Sequence, residues 1–504
     1  MSYSHLHHSA QPPGDVQPLC DWSAEDIRRI GYRVVDVIAT YLTELPSRPV
    51  FAPVPGNVID SFMTTAAPQE GLPADVVVDE VAHRVMQWPF GNGHPRFYAW
   101  VNSTPAVMGI FAEALAAAMN PSCAGGNHAA VYVERQVIAW YREMLGLPDS
   151  WTGLLVSGGS MAALTALAAA RHARCGFDVR RDGLQNDHRP LVVYRSPEGH
   201  TCHQKAIELL GIGSGHMRVI PCDAGRRLSA GAFEQAVRED IGRELLPLAL
   251  VASCGTVNTG AVDPLDELAD VCSRYGIWLH VDAAYGGPAV LSRRYGQLAP
   301  MLARADSIAI DPHKWLFVPV EAGAVLVRNG QSLRDAFSLV PPYIQPKSRF
   351  DSDQAPVIDP VYGPTWFSEY GFQQTRGFRA LKCWMVMKQV GLQAYREAVE
   401  RSIALANRFA DCLKETDDFE LFEPRGMSIV CFRYRPAGVA ATDIDLVNKR
   451  LLEALQLGGR YFLSGTSLDD RFYLRVCVVN GRASEQDIDG LLPALREVLH
   501  SPSF

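Results

Sequence analysis

The chain has 504 residues, 48% hydrophobic and 20% charged, which is the usage of a folded globular protein and not of a disordered one. At roughly 150 residues per domain, this length allows about three units or one large enzyme with appendages. Lysine and arginine number 47 against 55 acidic residues, a formal charge of −8, which argues against a nucleic-acid partner.

Eleven cysteines are scattered from Cys20 to Cys477 and never spaced C-x-x-C, a pattern of buried thiols in a reducing compartment and not of disulfides or a zinc site. No metal is expected. The N-terminus lacks the basic flank and apolar run of a signal peptide, and no later stretch stays apolar for the ~18 residues of a membrane span. A cytoplasmic location without a membrane partner is therefore the expectation. The His7-His8 and Pro12-Pro13 pairs read as a solvated terminus.

Ser23 followed by Asp26 is a capping-box pattern, and Ile27, Ile30, Val34, Ile38, Tyr41 and Leu42 continue at helical spacing. Pro46 ends that helix. Prolines 49, 53, 55, 68 and 73 then punctuate the text to about residue 95, so residues 1–104 read as an N-terminal helical arm that wraps something and has no compact core of its own. Over 105–385, short apolar runs alternate with helical stretches: 154–156, 191–194, 248–252, 277–281, 308–310 and 324–327. This βα repetition predicts a mostly parallel sheet. Residues 386–504 form a small α+β domain, with a helix over 392–413, a strand over 429–434, a helix from about 442–445, a strand over 472–479 and a helix over 485–499.

In a parallel α/β sheet, ligands collect beyond the carboxyl ends of the strands, so the residues to inspect are polar ones that follow apolar runs. Ser157-Gly158-Gly159-Ser160 follows Leu154-Leu155-Val156 and opens a good helix; small residues let an anion approach N–H groups at the helix start. The stretch matches neither G-x-x-x-x-G-K-[ST] nor G-x-G-x-x-G, so triphosphate and dinucleotide readings lose ground. Asp282 closes Trp278-Leu279-His280-Val281, Lys314 sits in Ile310-Asp311-Pro312-His313-Lys314-Trp315, and His200 follows Glu198-Gly199. Asp282 alone has an ordinary explanation as a turn cap, and His200 alone as a satisfied histidine. A lysine amid apolar residues invites imine formation, because desolvating an ammonium is costly.

Jointly they meet the needs of pyridoxal phosphate. That cofactor requires a lysine to hold it, an anion for its ring nitrogen, an aromatic plane against the ring and donors for a phosphate. Lys314, Asp282, His200 and the Gly159-Ser160 helix start supply these in turn, and Ala284, two residues past Asp282, is small enough to let the ring lie flat.

The stretches D-P-H-K-W at 311–315 and H-V-D-A-A-Y at 280–285 resemble the group II pyridoxal-phosphate-dependent decarboxylases, the family of the aromatic-L-amino-acid decarboxylases, over nearly the whole chain. The resemblance implies an α/β fold-type I enzyme, a homodimer with its active sites between subunits and an arm packed on the partner. It implies that Lys314 forms the Schiff base, Asp282 pairs with the pyridinium, His200 stacks on the ring, and Gly159, Ser160, Asp311 and His313 contact the phosphate side. Tyr343, at 343 − 314 = 29 positions beyond the lysine, stands in the register of the family's mobile-loop tyrosine, which protonates the substrate carbon. Trp100 and Ser103 lie in a segment resembling the substrate side.

Three departures bear on substrate choice. Val257 stands where many relatives have a second threonine, leaving Thr256 or Asn258 to supply that hydrogen bond. Met161 replaces a common glutamate, and the 123–128 stretch is small and polar. The expected function is decarboxylation of an L-amino acid, with an aromatic one favoured, to the amine and carbon dioxide. One rival is a decarboxylating aldehyde synthase, against which His200 and Tyr343 both speak. The other is a catalytically retired fold that binds a ligand, against which the complete residue set speaks.

Overall fold

The computed structural model describes residues 21–91, 93–185, 189–339 and 361–502. The chain divides into two compact units, residues 1–48 with 52–89, and residues 49–51 with 90–504.

In the first unit the helix Ala24–Glu44 starts where Ser23 accepts a hydrogen bond from the Asp26 N–H, and Pro46 sits in the 3₁₀ turn Leu45–Ser47 that follows. Helices Gly56–Thr64 and Ala74–Glu80 come next. None of the three buries a residue. Ion pairs Arg29–Asp75 and Arg33–Asp79 join the first helix to the last, while Ile27, Phe62 and Met63 stay exposed. Charge pairs join its first and last helices, and many of its apolar side chains remain exposed.

The second unit is built on seven strands: β1 (Thr152–Val156), β2 (Leu191–Arg195), β3 (Met217–Val219), β4 (Leu246–Ser253), β5 (Trp278–Asp282), β6 (Ser307–Ile310) and β7 (Gly323–Val327), in the order β1-β7-β6-β5-β4-β2-β3. β3, β2, β4, β5 and β6 run parallel, and β7 is antiparallel to both β6 and β1. Two reversals leave β1 pointing the same way as β6, so six of the seven strands end at one edge. Both faces are covered, which is why these strands read as continuous apolar runs. Side chains alternate between the two cores: Leu155, Leu279, Ile308 and Ile310 enter one, while Leu154, Val156, Trp278 and Ala309 enter the other.

A second sheet, of β8 (Phe419–Leu421), β9 (Ile429–Tyr434), β10 (Ser464–Leu468) and β11 (Arg471–Cys477), is antiparallel in the order β10-β11-β9-β8. Three strands were not expected from the sequence. β3 and β8 have three residues each, too few for periodicity to register, and β10 reads Ser-Gly-Thr-Ser-Leu, almost without apolar residues. The helix expected from 392 begins at Arg379 and runs to Lys414, broken at Gly391, whose φ of 74° suits glycine. The final helix is two pieces, Glu485–Asp489 and Leu491–Leu499, parted at Gly490. Among the described residues, no helix is long and apolar enough to cross a membrane.

Candidate active site

The turns after β1, β2, β4, β5 and β6 line one pocket of about 330 Å³. From the first come Ser157–Met161. The helix Gly159–Arg174 makes its first bond from Ala162 N–H to the Gly158 carbonyl, so the N–H groups before Ala162 have no helical acceptor and are available to an anion. A Cβ on Gly159 would stand 3.0 Å from Asp311 Oδ2 and 3.4 Å from the Ala284 methyl, so glycine keeps this cradle open.

Asp282 is the last residue of β5. Its Oδ1 accepts the Ala284 N–H at 3.1 Å, and its Oδ2 lies 3.2 Å from His203 Nε2. Burial opposes its charge, but His203, Lys314 and the Ala284 N–H outweigh burial and hold the carboxyl well below the usual range. Lys314 Nζ lies 2.9 Å from Asp311 Oδ2. Burial works against this ammonium too, yet the carboxylates of Asp311 and Asp282 raise it above its ordinary value.

Asp311 therefore serves as counter-ion to Lys314, while its Oδ1 is buried without a hydrogen-bond partner. His313 lines the pocket with its Nδ1 2.5 Å from the Ala322 carbonyl and Nε2 3.8 Å from Asp311. Burial, the largest influence, lowers its pKa and favours the neutral ring. His200 also lines the pocket. It is exposed, and its Nδ1 accepts the Cys202 N–H at 3.2 Å.

Thr256 and Val257 line the pocket as well. The Thr256 hydroxyl is engaged inside its own loop, with Thr259 at 3.2 Å and the Ala261 N–H at 3.1 Å. Asn258 donates to Glu198 at 2.9 Å and accepts from Thr466 at 2.8 Å. Both candidates for the hydrogen bond that Val257 cannot make thus have other partners.

Trp100 and Ser103 are not among the described residues lining this pocket. Trp100 has a φ of 50°, stacks on Phe90 at 5.3 Å and accepts from Arg475 through its carbonyl at 2.9 Å. Ser103 is buried and donates to the Thr104 carbonyl. Tyr343 lies outside the described residues.

His203 and Cys202 join these residues, although neither stands out in the sequence. His203 sits on the inward stripe of the helix Cys202–Leu209 with Ala206 and Ile207, all buried. A histidine on an apolar stripe, three residues after His200, was the available signal. Cys202, His203 and Asp282 bring a thiol sulfur, a ring nitrogen and a carboxylate oxygen within 4.8 Å of one another.

These residues fit pyridoxal phosphate. The pocket offers a partly buried amine paired with a carboxylate, an anion at a strand end, and a glycine cradle at a helix start that a Cβ would crowd. The profile of the pyridoxal-dependent decarboxylase conserved domain matches residues 55–435, and the chain is 36% identical over 485 residues to an aromatic-L-amino-acid decarboxylase of Bacillus atrophaeus, covering 96% of this chain and 97% of that one.

The chain belongs to the pyridoxal-dependent decarboxylase family. It is a carboxy-lyase of fold-type I that works with pyridoxal 5′-phosphate. A solved structure of Oryza sativa TDC with PLP and tryptamine superposes with a TM-score of 0.86 at 28% identity, covering 96% of this chain and 98% of the other. A phenylacetaldehyde synthase of a Rosa hybrid cultivar is 29% identical over 481 residues, covering 92% and 91%.

Proposed function

We propose that this decarboxylase acts on an aromatic L-amino acid and releases the amine, as a cytoplasmic homodimer. The observation that carries the catalytic part is the convergence of Lys314, Asp282 and the Gly158–Ser160 turn on one pocket at the carboxyl edge of the sheet. The aromatic substrate is supported by the decarboxylase relative at 36% identity.

When bound, the cofactor accepts the electron pair released as the carboxylate leaves. The chain's residues prepare for this. Lys314 Nζ supplies the amine for covalent attachment, and Asp311 Oδ2 holds its proton beforehand. Asp282 offers an anion to the ring nitrogen. The N–H groups of residues 159–161 and His313 would hold the phosphate. Ala284 would leave space for the ring, and His200, at the pocket wall, would cover it. Tyr343 would return a proton to the substrate carbon.

The second reading, an aldehyde product, is favoured by the synthase relative. His200 weighs against it, as does Tyr343 in its family register. The dimer is supported by the uncovered apolar side chains of the arm, and the cytoplasmic location by the ten described cysteines, all free thiols. The deciding experiment measures carbon dioxide, amine, aldehyde and peroxide from each proteinogenic amino acid and dihydroxyphenylalanine. We expect carbon dioxide and amine in equal amounts from an aromatic substrate. Release from acidic or basic amino acids alone would overturn the substrate, and aldehyde with peroxide would overturn the product.

A further inference from the structure

Beside Asp282 lies an ionisable group that the chemistry above does not use. His203 is 1% exposed, and its Nε2 is 3.2 Å from Asp282 Oδ2. The contact is not aligned as a hydrogen bond, and neither ring nitrogen has an aligned partner among the described residues. Asp282 is thus held on one oxygen by a backbone N–H and on the other by an imidazole whose remaining hydrogen-bonding capacity is unspent.

The groups around His203 come from three elements. Cys202 and His200 belong to its own segment, Asp282 and His280 to β5, and Lys314 lies beyond Asp282, close enough for its charge to act there. His280 is set apart from them. Its Nδ1 is 2.9 Å from Ser307 Oγ, which already accepts the indole N–H of Trp278 at 2.8 Å. Burial, together with the nearby His203 charge, lowers His280 to about 3 and favours its neutral ring.

We propose that His203 is a positioning residue, a buried imidazolium that keeps Asp282 ionised and its carboxylate fixed, so that the proton between Asp282 and the cofactor ring nitrogen resides on the nitrogen. This rests on the decarboxylase reading. A cation in contact with a carboxylate stabilises the anion; remove it, and burial favours the protonated acid, which gives the ring nitrogen no charge to pair with. Burial also opposes the charge on His203, but Asp282 and Cys202 outweigh it and lift the imidazole to about 10. Cys202 completes the cluster, its sulfur within 4.8 Å of both the imidazole nitrogen and the Asp282 carboxylate. Burial acts against its thiolate, yet His200 and His203 bring the thiol down to about 6.

Two measurements on the holoenzyme test this. With the cofactor ¹⁵N-labelled at its ring nitrogen, the wild type is expected to show a protonated nitrogen, and His203→Gln a shift toward the unprotonated position together with a fall in kcat and little change in KM. With ¹⁵N-labelled histidine, His203 in the wild type is expected to carry protons on both ring nitrogens at pH 8. Its resonance is assigned by its loss in whichever of His203→Gln and His203→Phe folds. An unchanged ring-nitrogen shift in a folded variant, or a neutral His203 at pH 8, overturns the proposal. Wild-type enzyme with a doubly protonated His203 and bound cofactor but no carbon dioxide release would overturn the decarboxylase reading alone.

Discussion

Arg376→Met is expected to be among the most destabilising single changes outside the pocket, for reasons the structure makes explicit. The Arg376 and Glu134 side chains are 2% and 1% exposed. Arg376 Nη1 donates to Glu134 Oε2 at 3.1 Å and to the Cys123 carbonyl at 2.8 Å, and Nη2 donates to the Leu155 carbonyl at 2.6 Å. Glu134 Oε1 accepts the Leu155 N–H at 2.9 Å. The pair thus grips β1 two residues before the Ser157 turn. Methionine keeps much of the volume but leaves a buried carboxylate with one N–H and two carbonyls without their donor. Breaking a buried pair in this way costs about 3–5 kcal/mol, a large part of the ~5–15 kcal/mol typical of a folded domain. Glu134→Gln in the same chain keeps an acceptor for Leu155 N–H and removes the stranded charge, so the double variant should regain about 1–3 kcal/mol. Urea unfolding of the holoenzyme, followed by tryptophan fluorescence, reads both. A loss below about 1 kcal/mol for Arg376→Met, or a double variant less stable than the single, would refute the reasoning.

Four further outcomes are expected. Asp282→Asn should keep the packing but lower kcat by about a hundredfold or more, with a smaller loss of cofactor affinity; unchanged kcat in a steady-state assay would show that no ring-nitrogen pairing occurs there. Tyr343→Phe should reduce amine and raise aldehyde, ammonia and hydrogen peroxide, because dioxygen then competes for the decarboxylated substrate; wild-type amine yield without peroxide would remove Tyr343 as proton donor. Light scattering should give twice the mass of the 504-residue chain, and a fully active monomer would contradict the dimer. His203 is raised from 6.5 to about 10, so its contribution to stability is complete below about pH 6.5 and disappears as pH rises through about 10. The melting temperature should therefore fall over that alkaline range in the wild type and fall less in His203→Gln.

The main sheet and its functional edge were legible because buried parallel strands are written as apolar runs. The polar residue ending each run, Asp282 after Val281 or Asp311 after Ile310, lands at the ligand-binding edge for purely geometric reasons. What stayed hidden depends on contacts distant in sequence. β10 is polar and pairs only because β11 lies beside it. Asp311 reads as a phosphate-side contact, and no local pattern shows its 2.9 Å pairing with Lys314. His203 reads as a helix residue like any other, since nothing local reveals that β5 places a carboxylate 3.2 Å from its ring. Thr256 was a candidate cofactor contact by residue type, and its loop's own hydrogen bonds, with Thr259 and Ala261, could not be read from spacing.

We expect the amine that holds the cofactor to be that of Lys314, whose Nζ lies 2.9 Å from Asp311 Oδ2 at the carboxyl edge of the sheet. Borohydride reduction of the purified holoenzyme, followed by proteolysis and mass spectrometry, tests it directly. The yellow colour should be lost and a single cofactor-modified peptide should contain Lys314 and be absent from Lys314→Ala. Cofactor on any other lysine, or an unmodified Lys314 peptide in fully active enzyme, would contradict it.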